Sequence, residues 1–383
     1  MSFTFNWTRI QQTGFFRQNW GQAPCVIRNA LPPEFDGLTP EELAGLSLEE
    51  QIESRIILQH GPQEYELRRG PFTEEDYAQL PEQNWTLLVQ GVDRVVPALQ
   101  KLLSAFDFIP YWRLDDIMVS YAVTGGNVGP HYDHYHVFLY QMAGKRRWKL
   151  TSKQCTPDNY IEGLPLRLMR QFPVELEYEV EPGDVLYIPP LWGHHGVALD
   201  DDCLTASIGY RSLRAREIIE ALADWLATHP EGEALFADPV YQGLPPGQMD
   251  NRVDLAALAA IRPVLQAPGL SHALAQMMTS PDQAAVELMP TPLESPITSE
   301  QLPELLETTP VWLRDSVTRM ALTEDGTLFV NGSPWETEAG VEFRRWLSNQ
   351  IVYEDAQRWL HSPAEAAALR HAINQQWLVP DEE

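Results

Sequence analysis

Residues 129–138 of the chain read GPHYDHYHVF, and residues 183–195 read GDVLYIPPLWGHH. The first stretch places His131 and Asp133 two positions apart, so on a strand both side chains point to the same face. The second stretch reads as a tight turn at Gly183, a short buried strand, and a Pro-Pro stop before a loop that presents His194. Together they predict two strand ends that meet at the mouth of a β-barrel.

Two imidazoles and one carboxylate on one face of a metal ion form the facial triad of non-heme Fe(II) oxygenases. We therefore predict His131, Asp133 and His194 as the ligands of an iron(II) ion. A His-x-Asp pair alone is a weak indication, because a solvated, histidine-rich hairpin also produces one. The second stretch is what favours the metal site. His195 stays open as an alternative third ligand, since two histidines stand side by side there.

The run from Asp116 to about Tyr210 resembles the Jumonji-C type of 2-oxoglutarate oxygenase, and most of all the bacterial ribosomal oxygenases. The resemblance is carried by GPHYD at 129–133, VFLYQ at 137–141, GKRRW at 144–148 and EPGDVLYIPP at 181–190. The paired histidine is a departure, because these relatives usually have a single one. The resemblance implies a mainly β catalytic domain, a double-stranded β-helix of the cupin and Jumonji-C type. An all-α dimerisation region and a C-terminal winged-helix-like α+β domain are implied to follow.

The resemblance also implies an activity, that of a 2-oxoglutarate-dependent dioxygenase. Fe(II) is the implied cofactor, with 2-oxoglutarate and O2 as cosubstrates and succinate and CO2 as co-products. The implied substrate is an arginine side chain of large-subunit ribosomal protein L-sixteen, which makes the enzyme a ribosomal protein arginine 3-hydroxylase. Two alternatives are a Jumonji-C demethylase of methylated lysine and a non-enzymatic cupin-type binding protein. The intact triad argues against the second.

The far carboxylate of 2-oxoglutarate needs a cation deep in the barrel, and the resemblance places that role on Arg146. A guanidinium makes a two-point, charge-assisted contact with a carboxylate. Met118 and Ser120 share one face of their strand and are expected to line the same pocket, with Ser120 as a hydroxyl donor. Ser207 is a further candidate for the cosubstrate site. The alternative for Met118 and Ser120 is ordinary barrel lining.

A substrate arginine needs an anion, and Asp116 stands on the strand that leads to the mouth. Asp115 is the second choice, and both would otherwise be a solvated strand start. Tyr140 is predicted to stack on the substrate guanidinium, although aromatic core packing is the commoner use of such a residue.

Changes in the hydrophobic pattern along the sequence predict three domains. They are 1–212 for the oxygenase and its N-terminal supporting elements, 213–295 for a helical region and linker, and 296–383 for the winged-helix-like end. Within the first, strands on either side of Ala143-Gly144 are expected to form a hairpin. Within the last, strands flanking a turn at Gly326 predict another hairpin. Nucleic-acid binding is disfavoured, because the last domain has no basic recognition helix.

The helical region is predicted to form a homodimer through about residues 213–290. One apolar stripe runs through Ile218, Ile219, Leu222 and Trp225, and a second comprises Leu255, Leu258, Ile261 and Leu265. Soluble monomers rarely expose such faces, and pairing across a twofold axis is the commonest way to cover them.

The composition bounds the partners and the compartment. The chain has 383 residues and a formal charge of −27, from 54 acidic and 27 basic residues. Such an acidic surface attracts a basic partner such as a ribosomal protein, but it equally fits a surface that only keeps the protein soluble or a salt-adapted source. No apolar run reaches the roughly 20 residues that span a bilayer. The first residues lack the basic and apolar parts of a signal peptide, and three scattered cysteines do not predict disulfides. We expect a cytoplasmic protein that binds no membrane.

Overall fold

A computed structural model describes residues 3–7, 12–266 and 269–381. Met1 and Ser2, which enter the argument about a signal peptide, lie outside the described residues. The chain divides into two compact units: Met1–Ser212 with Ile351–Tyr353, and Leu213–Gln350 with Glu354–Glu383. Among the described residues, no helix combines the length and the apolar character needed to cross a membrane.

The first part of the first unit supplies the supporting elements. Their bounds are α1 (Gln12–Gln18), β1 (Cys25–Ile27), α2 (Pro40–Leu46), β2 (Ser54–Gly61), β3 (Glu64–Arg69), α3 (Glu74–Ala78), β4 (Trp85–Val89) and α4 (Pro97–Leu102). Helix α2 begins as the sequence predicts, because Thr39 caps it: the Thr39 hydroxyl accepts from the Glu42 N–H at 3.2 Å, and the Glu42 carboxylate accepts from the Thr39 N–H at 2.8 Å.

Eight further strands complete the two large sheets of the first unit. They are β5 (Leu114–Ala122), β6 (His131–Tyr132), β7 (His136–Ala143), β8 (Arg146–Thr151), β9 (Leu176–Val180), β10 (Val185–Ile188), β11 (Gly193–Ala198) and β12 (Cys203–Tyr210). One sheet has the order β1-β10-β7-β12-β5-β4-β2-β3, and the other has the order β6-β11-β8-β9. Every pair is antiparallel, and the two sheets form the predicted double-stranded β-helix.

The hairpin predicted at Ala143-Gly144 is wrong. Strand β7 pairs with β10 on one side and β12 on the other, so both of its edges are occupied. Strand β8 lies in the other sheet, between β9 and β11. Gly144, with φ of 61°, turns the chain from one sheet to the other, and a Cβ there would lie 2.4 Å from an Asp200 carboxylate oxygen. The same turn chemistry that closes a hairpin therefore makes a crossover here.

The two faces of the large sheet differ in what they contact. Its outer face packs on the supporting elements through buried aromatic residues such as Phe138 and Tyr187, which contact Phe15 of α1. Its inner face meets the four-stranded sheet, and Leu139 packs there with Trp148 of β8. The inner face also carries polar side chains, and the candidate site lies among them.

The second unit contains helices and short strands. They are α5 (Ala215–Leu226), α6 (Asn251–Ile261), α7 (Gly269–Thr279), α8 (Gln283–Leu288), α9 (Leu302–Thr308), β13 (Trp312–Arg314), β14 (Met320–Leu322), β15 (Leu328–Val330), β16 (Ser333–Trp335), α10 (Val341–Ser348), α11 (Pro363–Asn374) and β18 (Leu378–Pro380); β17 (Val352–Tyr353) falls in the first unit. Strands β14 and β15 pair as the predicted hairpin, with Gly326 at φ of 87° in the turn, and β16 extends it. The winged-helix-like character stays a prediction.

The helical region packs on this hairpin. The Thr279 hydroxyl of α7 accepts from the Gly332 N–H at 3.0 Å, and His272 lies 2.9 Å from the Asp325 carboxylate. On α5, Leu222 and Trp225 are buried in a cluster with α7, whereas Ile219 is 59% exposed. Part of the apolar stripe predicted for dimerisation is therefore used inside the unit.

Candidate metal centre

Strand pairing brings His131 and His194 together. They are direct partners in the antiparallel register of β6 and β11, and their ring centroids lie 4.2 Å apart. Asp133 follows β6 immediately, and its carbonyl accepts from the Leu191 N–H at 2.8 Å, which ties it to the loop before β11. The His194 Nε2 lies 3.5 Å from the Asp133 carboxylate, and ligand atoms of the three residues all lie within 4.8 Å of one another.

Both imidazoles are oriented by a main-chain carbonyl two residues earlier. The Nδ1 of His131 lies 2.9 Å from the Gly129 oxygen, and the Nδ1 of His194 lies 3.1 Å from the Trp192 oxygen. A carbonyl only accepts, so each Nδ1 carries the hydrogen and each Nε2 keeps its lone pair for a metal ion. Burial, followed by the neighbouring His131, lowers the pKa of His194 to about 4, so it is neutral near pH 7 as a ligand must be.

The structure places His195 outside this cluster. Side chains alternate along β11, and the His195 Nε2 lies 3.2 Å from the Asn127 Oδ1, with its ring edge-on to Phe172. Burial lowers its pKa to about 4 as well. The geometry therefore favours His194 over His195 as the partner of His131 and Asp133.

Arg146 projects from β8 into the space between the sheets. It is 4% exposed; its Nε donates to the Cys203 sulfur at 3.2 Å, and one Nη donates to the Ser120 hydroxyl at 3.4 Å. The other Nη is buried without a hydrogen-bond partner, and no carboxylate of the described residues forms an ion pair with Arg146. A buried cation with a donor to spare suits the carboxylate of a bound acid.

The other predicted cosubstrate residues line the same interior. Ser120 contacts Arg146 directly, and Met118 is two residues before it on the same face of β5. Ser207 pairs with Met118 across β5 and β12, so it shares that face. The Met118 sulfur also accepts from Arg55 of β2 at 3.7 Å.

Asp116 lies on the same face of β5, nearer its beginning. Asp116 is 7% exposed, and its carboxylate accepts from the Gln90 amide at 2.7 Å and the Gly91 N–H at 2.9 Å. Burial, and then the charge of Asp115, raise the pKa of the Asp116 carboxyl. Asp115 points to the other side and pairs with Arg211 at 3.0 Å.

The prediction for Tyr140 is wrong. Its ring is fully buried in the outer-face core, and its hydroxyl donates to the Pro32 carbonyl at 2.5 Å. Leu139 and Gln141, its neighbours on β7, are the residues that face inwards, since they pair with Ser207 and Thr205 of β12. Alternation along the strand therefore turns Tyr140 away from the candidate site.

Several residues at the site carry no recognisable sequence signal. Cys203 and Gln141 meet at 3.3 Å behind Arg146, and Gln90 links Arg55 to Asp116. The partners in these contacts lie 26 to 62 positions apart in sequence. Only the opposite polarity of the two faces of β5 and β12 hints at them, because buried polar residues there need partners.

The donor set fits a divalent metal and an oxo-acid. Two imidazole nitrogens and one carboxylate oxygen on one side leave further coordination positions open, and this is the set used by non-heme Fe(II) oxygenases. The buried and partly unpartnered guanidinium of Arg146 provides a fixed end point for a dicarboxylate. The arrangement can therefore hold an ion and orient a small diacid within one interior.

Comparison with known proteins places the same region in a described family. Residues 101–218 match the JmjC domain. The chain is 37% identical to the ribosomal protein uL16 3-hydroxylase of Escherichia coli over 241 residues, 62% of this chain and 61% of that protein. It is 39% identical to a probable ribosomal oxygenase of Haemophilus influenzae over 213 residues, 55% and 52% of the two chains. The matches thus span less than two thirds of the length of these curated relatives.

Similarity of structure extends further than similarity of sequence. The E. coli ribosomal oxygenase YcfD, solved in complex with cobalt and 2-oxoglutarate, superposes with a TM-score of 0.81 at 27% identity, over 99% of each chain. The likeness therefore includes the helical and C-terminal regions as well as the β-helix.

Proposed function

We propose that this chain, whose residues 101–218 match the JmjC domain, is an Fe(II)- and 2-oxoglutarate-dependent protein hydroxylase related to the bacterial ribosomal oxygenases. The observation that carries the proposal is the cluster of His131, Asp133 and His194 in one interior with the buried guanidinium of Arg146. The cobalt and 2-oxoglutarate complex of its relative YcfD supports the same cofactor and cosubstrate.

We assign the metal-binding role to His131, Asp133 and His194. When bound, Fe(II) would supply O2 activation that couples decarboxylation of 2-oxoglutarate to succinate and CO2 with hydroxylation of the substrate. The chain contributes orientation: the Gly129 and Trp192 carbonyls fix the tautomers that present Nε2. Asp133 offsets part of the metal charge, and the buried setting of His194 keeps it neutral.

We assign the far carboxylate of 2-oxoglutarate to Arg146. The Ser120 hydroxyl and the Cys203 sulfur hold two of its donors, so the remaining Nη is fixed in direction before the acid binds. Met118 and Ser207 form the adjoining wall. Fixing the guanidinium in advance reduces the entropy lost on binding.

We propose an arginine of ribosomal protein uL16, the L-sixteen of the sequence analysis, as the substrate. The first relative is named a ribosomal protein uL16 3-hydroxylase, and the charge of −27 favours a basic partner. Asp116 is the proposed anion for the substrate guanidinium, because it lies on the inner face of β5 with Met118 and Ser120. The proposed compartment is the cytoplasm, with no direct contact with nucleic acid or membrane.

Mass spectrometry of ribosomal proteins incubated with the iron-loaded enzyme and 2-oxoglutarate tests the activity. We expect uL16 to gain the mass of one oxygen atom, at an arginine. Loss of a methyl group from a lysine would support the demethylase instead. Anaerobic titration with Fe(II) and 2-oxoglutarate provides the second measurement, because a non-enzymatic binding protein of the cupin type would show no metal-to-ligand charge-transfer band.

We also propose a homodimer formed through the helical region. Four apolar residues on or just after α6 are exposed in the single chain: Leu255 at 61%, Leu258 at 51%, Ile261 at 48% and Leu265 at 40%. Light scattering should give about twice the 43.5 kDa of one chain. Leu258→Glu should lower this mass while Leu258→Met retains it. Trp225 is a poor probe, because it is buried inside its own unit.

A further inference from the structure

Asn127 lies on the loop between β5 and β6 and is 2% exposed, yet all of its side-chain polar atoms are hydrogen-bonded. Its Nδ2 donates to two oxygens, and its Oδ1 faces three donors. The partners are the Gln59 Oε1 at 2.7 Å, the Gly125 carbonyl at 2.9 Å, the Gly129 N–H at 2.9 Å, the Tyr65 hydroxyl at 3.2 Å and the His195 Nε2 at 3.2 Å. One amide therefore joins β2, β3, β11 and the loop before His131.

The contact with Gly129 reaches one metal-binding residue. Asn127 accepts from the N–H of Gly129, and the carbonyl of Gly129 accepts from the Nδ1 of His131. Gly129 has φ of 79°, and a Cβ there would lie 2.7 Å from Leu168, so the loop has little freedom to find another course. Asn127 thus holds the residue that orients the His131 ring.

The contact with His195 connects Asn127 to the strand that carries His194. His195 is adjacent to His194 on β11 and points to the opposite side of the strand, where it meets Asn127. The Asn127 Oδ1 only accepts, so the His195 Nε2 donates to it. His195 therefore contacts the loop that carries His131 instead of joining the metal cluster.

We propose that Asn127 and His195 form a positioning pair that raises the affinity for the metal ion by fixing the two ligand-bearing segments relative to each other. The inference rests on the proposed metal site. Its physical basis is preorganisation: without the pair, binding must also order the loop of His131 against β11, and that ordering weakens the apparent affinity. Loss of a direct outer hydrogen-bond partner of a ligating histidine typically weakens metal affinity by about 10- to 100-fold, and Asn127 acts one hydrogen bond further out, so the lower end of that range is expected.

The test is anaerobic titration of the metal-free full-length chain with Co(II), followed by the visible d–d absorption of the bound ion. We expect Asn127→Ala and His195→Leu each to weaken Co(II) binding by about tenfold or more. His195→Gln should stay within about threefold of the parent, because its amide Nε2 can still donate to Asn127. A purely space-filling role for His195 would not distinguish glutamine from leucine in this way.

The double variant Asn127→Ala/His195→Leu tests whether the two residues act as a pair. Residues that share one interaction show non-additive effects, so the double variant should bind Co(II) about as weakly as the weaker single variant. Full multiplication of the two single effects would overturn the pairing.

Asn374→Ala is the matched control. Asn374 also makes side-chain hydrogen bonds through both ends of its amide, to the main chain of Ile297 in the second unit. We expect unchanged Co(II) binding in this variant. Far-UV circular dichroism of the metal-free proteins establishes which variants are folded, and the His195→Leu and His195→Gln comparison decides the matter even where Asn127→Ala is unfolded.

Two outcomes separate this inference from the proposed function. A parent chain that binds no Co(II) would remove the metal site itself. A parent chain that binds Co(II), with His195→Leu equal to it or with His195→Gln as weak as His195→Leu, would overturn only the positioning pair.

Discussion

The two faces of the eight-stranded sheet are built from the same strands but lie against different surroundings. On the outer face, aromatic rings fill the space, and the Tyr140 hydroxyl has its partner in the Pro32 carbonyl. The inner face lies opposite the four-stranded sheet, where Arg146 keeps a buried donor without a partner and His131, Asp133 and His194 converge. A buried polar group without a partner costs stability, so we infer that the outer face stabilises the fold and the inner face is arranged for ligands.

The largest expected effect is at the metal cluster, in the interior between the two sheets. His131→Ala or Asp133→Ala should abolish metal binding and 2-oxoglutarate turnover, because two ligands rarely hold the ion. The metal-free variants should melt no lower than the metal-free parent, since no hydrophobic packing is lost. Turnover assays and thermal melts measure the two quantities. His134→Ala, a change at an exposed neighbour, is the control and should leave both unchanged.

The outer face should show the reverse pattern. Phe138 is fully buried among Phe15, Tyr187 and other rings, so Phe138→Ala should lower the free energy of unfolding by about 3–5 kcal/mol. Denaturant unfolding measures this, and Co(II) affinity of the folded fraction should stay at the parent value. Phe16→Ala, at a ring that is 37% exposed, should cost much less. A loss of metal affinity with little loss of stability in Phe138→Ala would contradict the division between the faces.

Which face a residue occupies was only partly predictable from sequence. The spacing of His131 and Asp133, with the later His194, predicted a cluster that the structure brings together. Strand β7 gave no such guide, because seven of its eight residues are buried and no polar alternation marks its inner side. For that reason the predictions of an inward-facing Tyr140 and of a hairpin at Gly144 are wrong. Asn127 and Cys203 act through contacts between distant segments, which a local pattern does not encode.

Arg146→Ala tests the unpartnered cation. Losing the partner of a desolvated carboxylate typically costs about 2–5 kcal/mol. The apparent 2-oxoglutarate requirement should therefore rise by roughly 30-fold or more. Arg147→Ala is the matched control, because Arg147 is its exposed neighbour and pairs with Glu179. Equal requirements in the two variants would show that Arg146 does not bind the cosubstrate.

The outer face also contains a titratable group, His136, whose effect on stability has a predictable direction as the pH falls. His136 stacks on Trp20, its Nδ1 lies 2.8 Å from the Tyr187 hydroxyl, and burial, followed by the charge of Arg113, lowers its pKa to about 4. The unfolded chain takes up the proton near pH 6.5, so the stability associated with neutral His136 is complete above that pH. It is lost as the pH falls from 6.5 through 4, by on the order of 3 kcal/mol.

Denaturant unfolding of the metal-free chain at several pH values measures this loss. His136→Gln should flatten the dependence between pH 6.5 and 4, because glutamine does not titrate. A variant as steeply acid-sensitive as the parent would assign the effect to other groups.

The smallest effect is expected for Tyr140→Phe. This variant tests whether a single hydroxyl on the outer face contributes only to stability. The change removes the hydrogen bond to the Pro32 carbonyl and leaves the ring in place, so the free energy of unfolding should fall by about 1 kcal/mol. The apparent requirement for the protein substrate should not change, because alternation along β7 turns this ring away from the interior.

Asp116→Asn, on the inner face, should raise that requirement instead, since it removes the proposed anion for the substrate guanidinium. If Tyr140→Phe weakened substrate binding while its unfolding matched the parent, the ring would have to reach the interior. The strand register that separates the two faces would then be wrong.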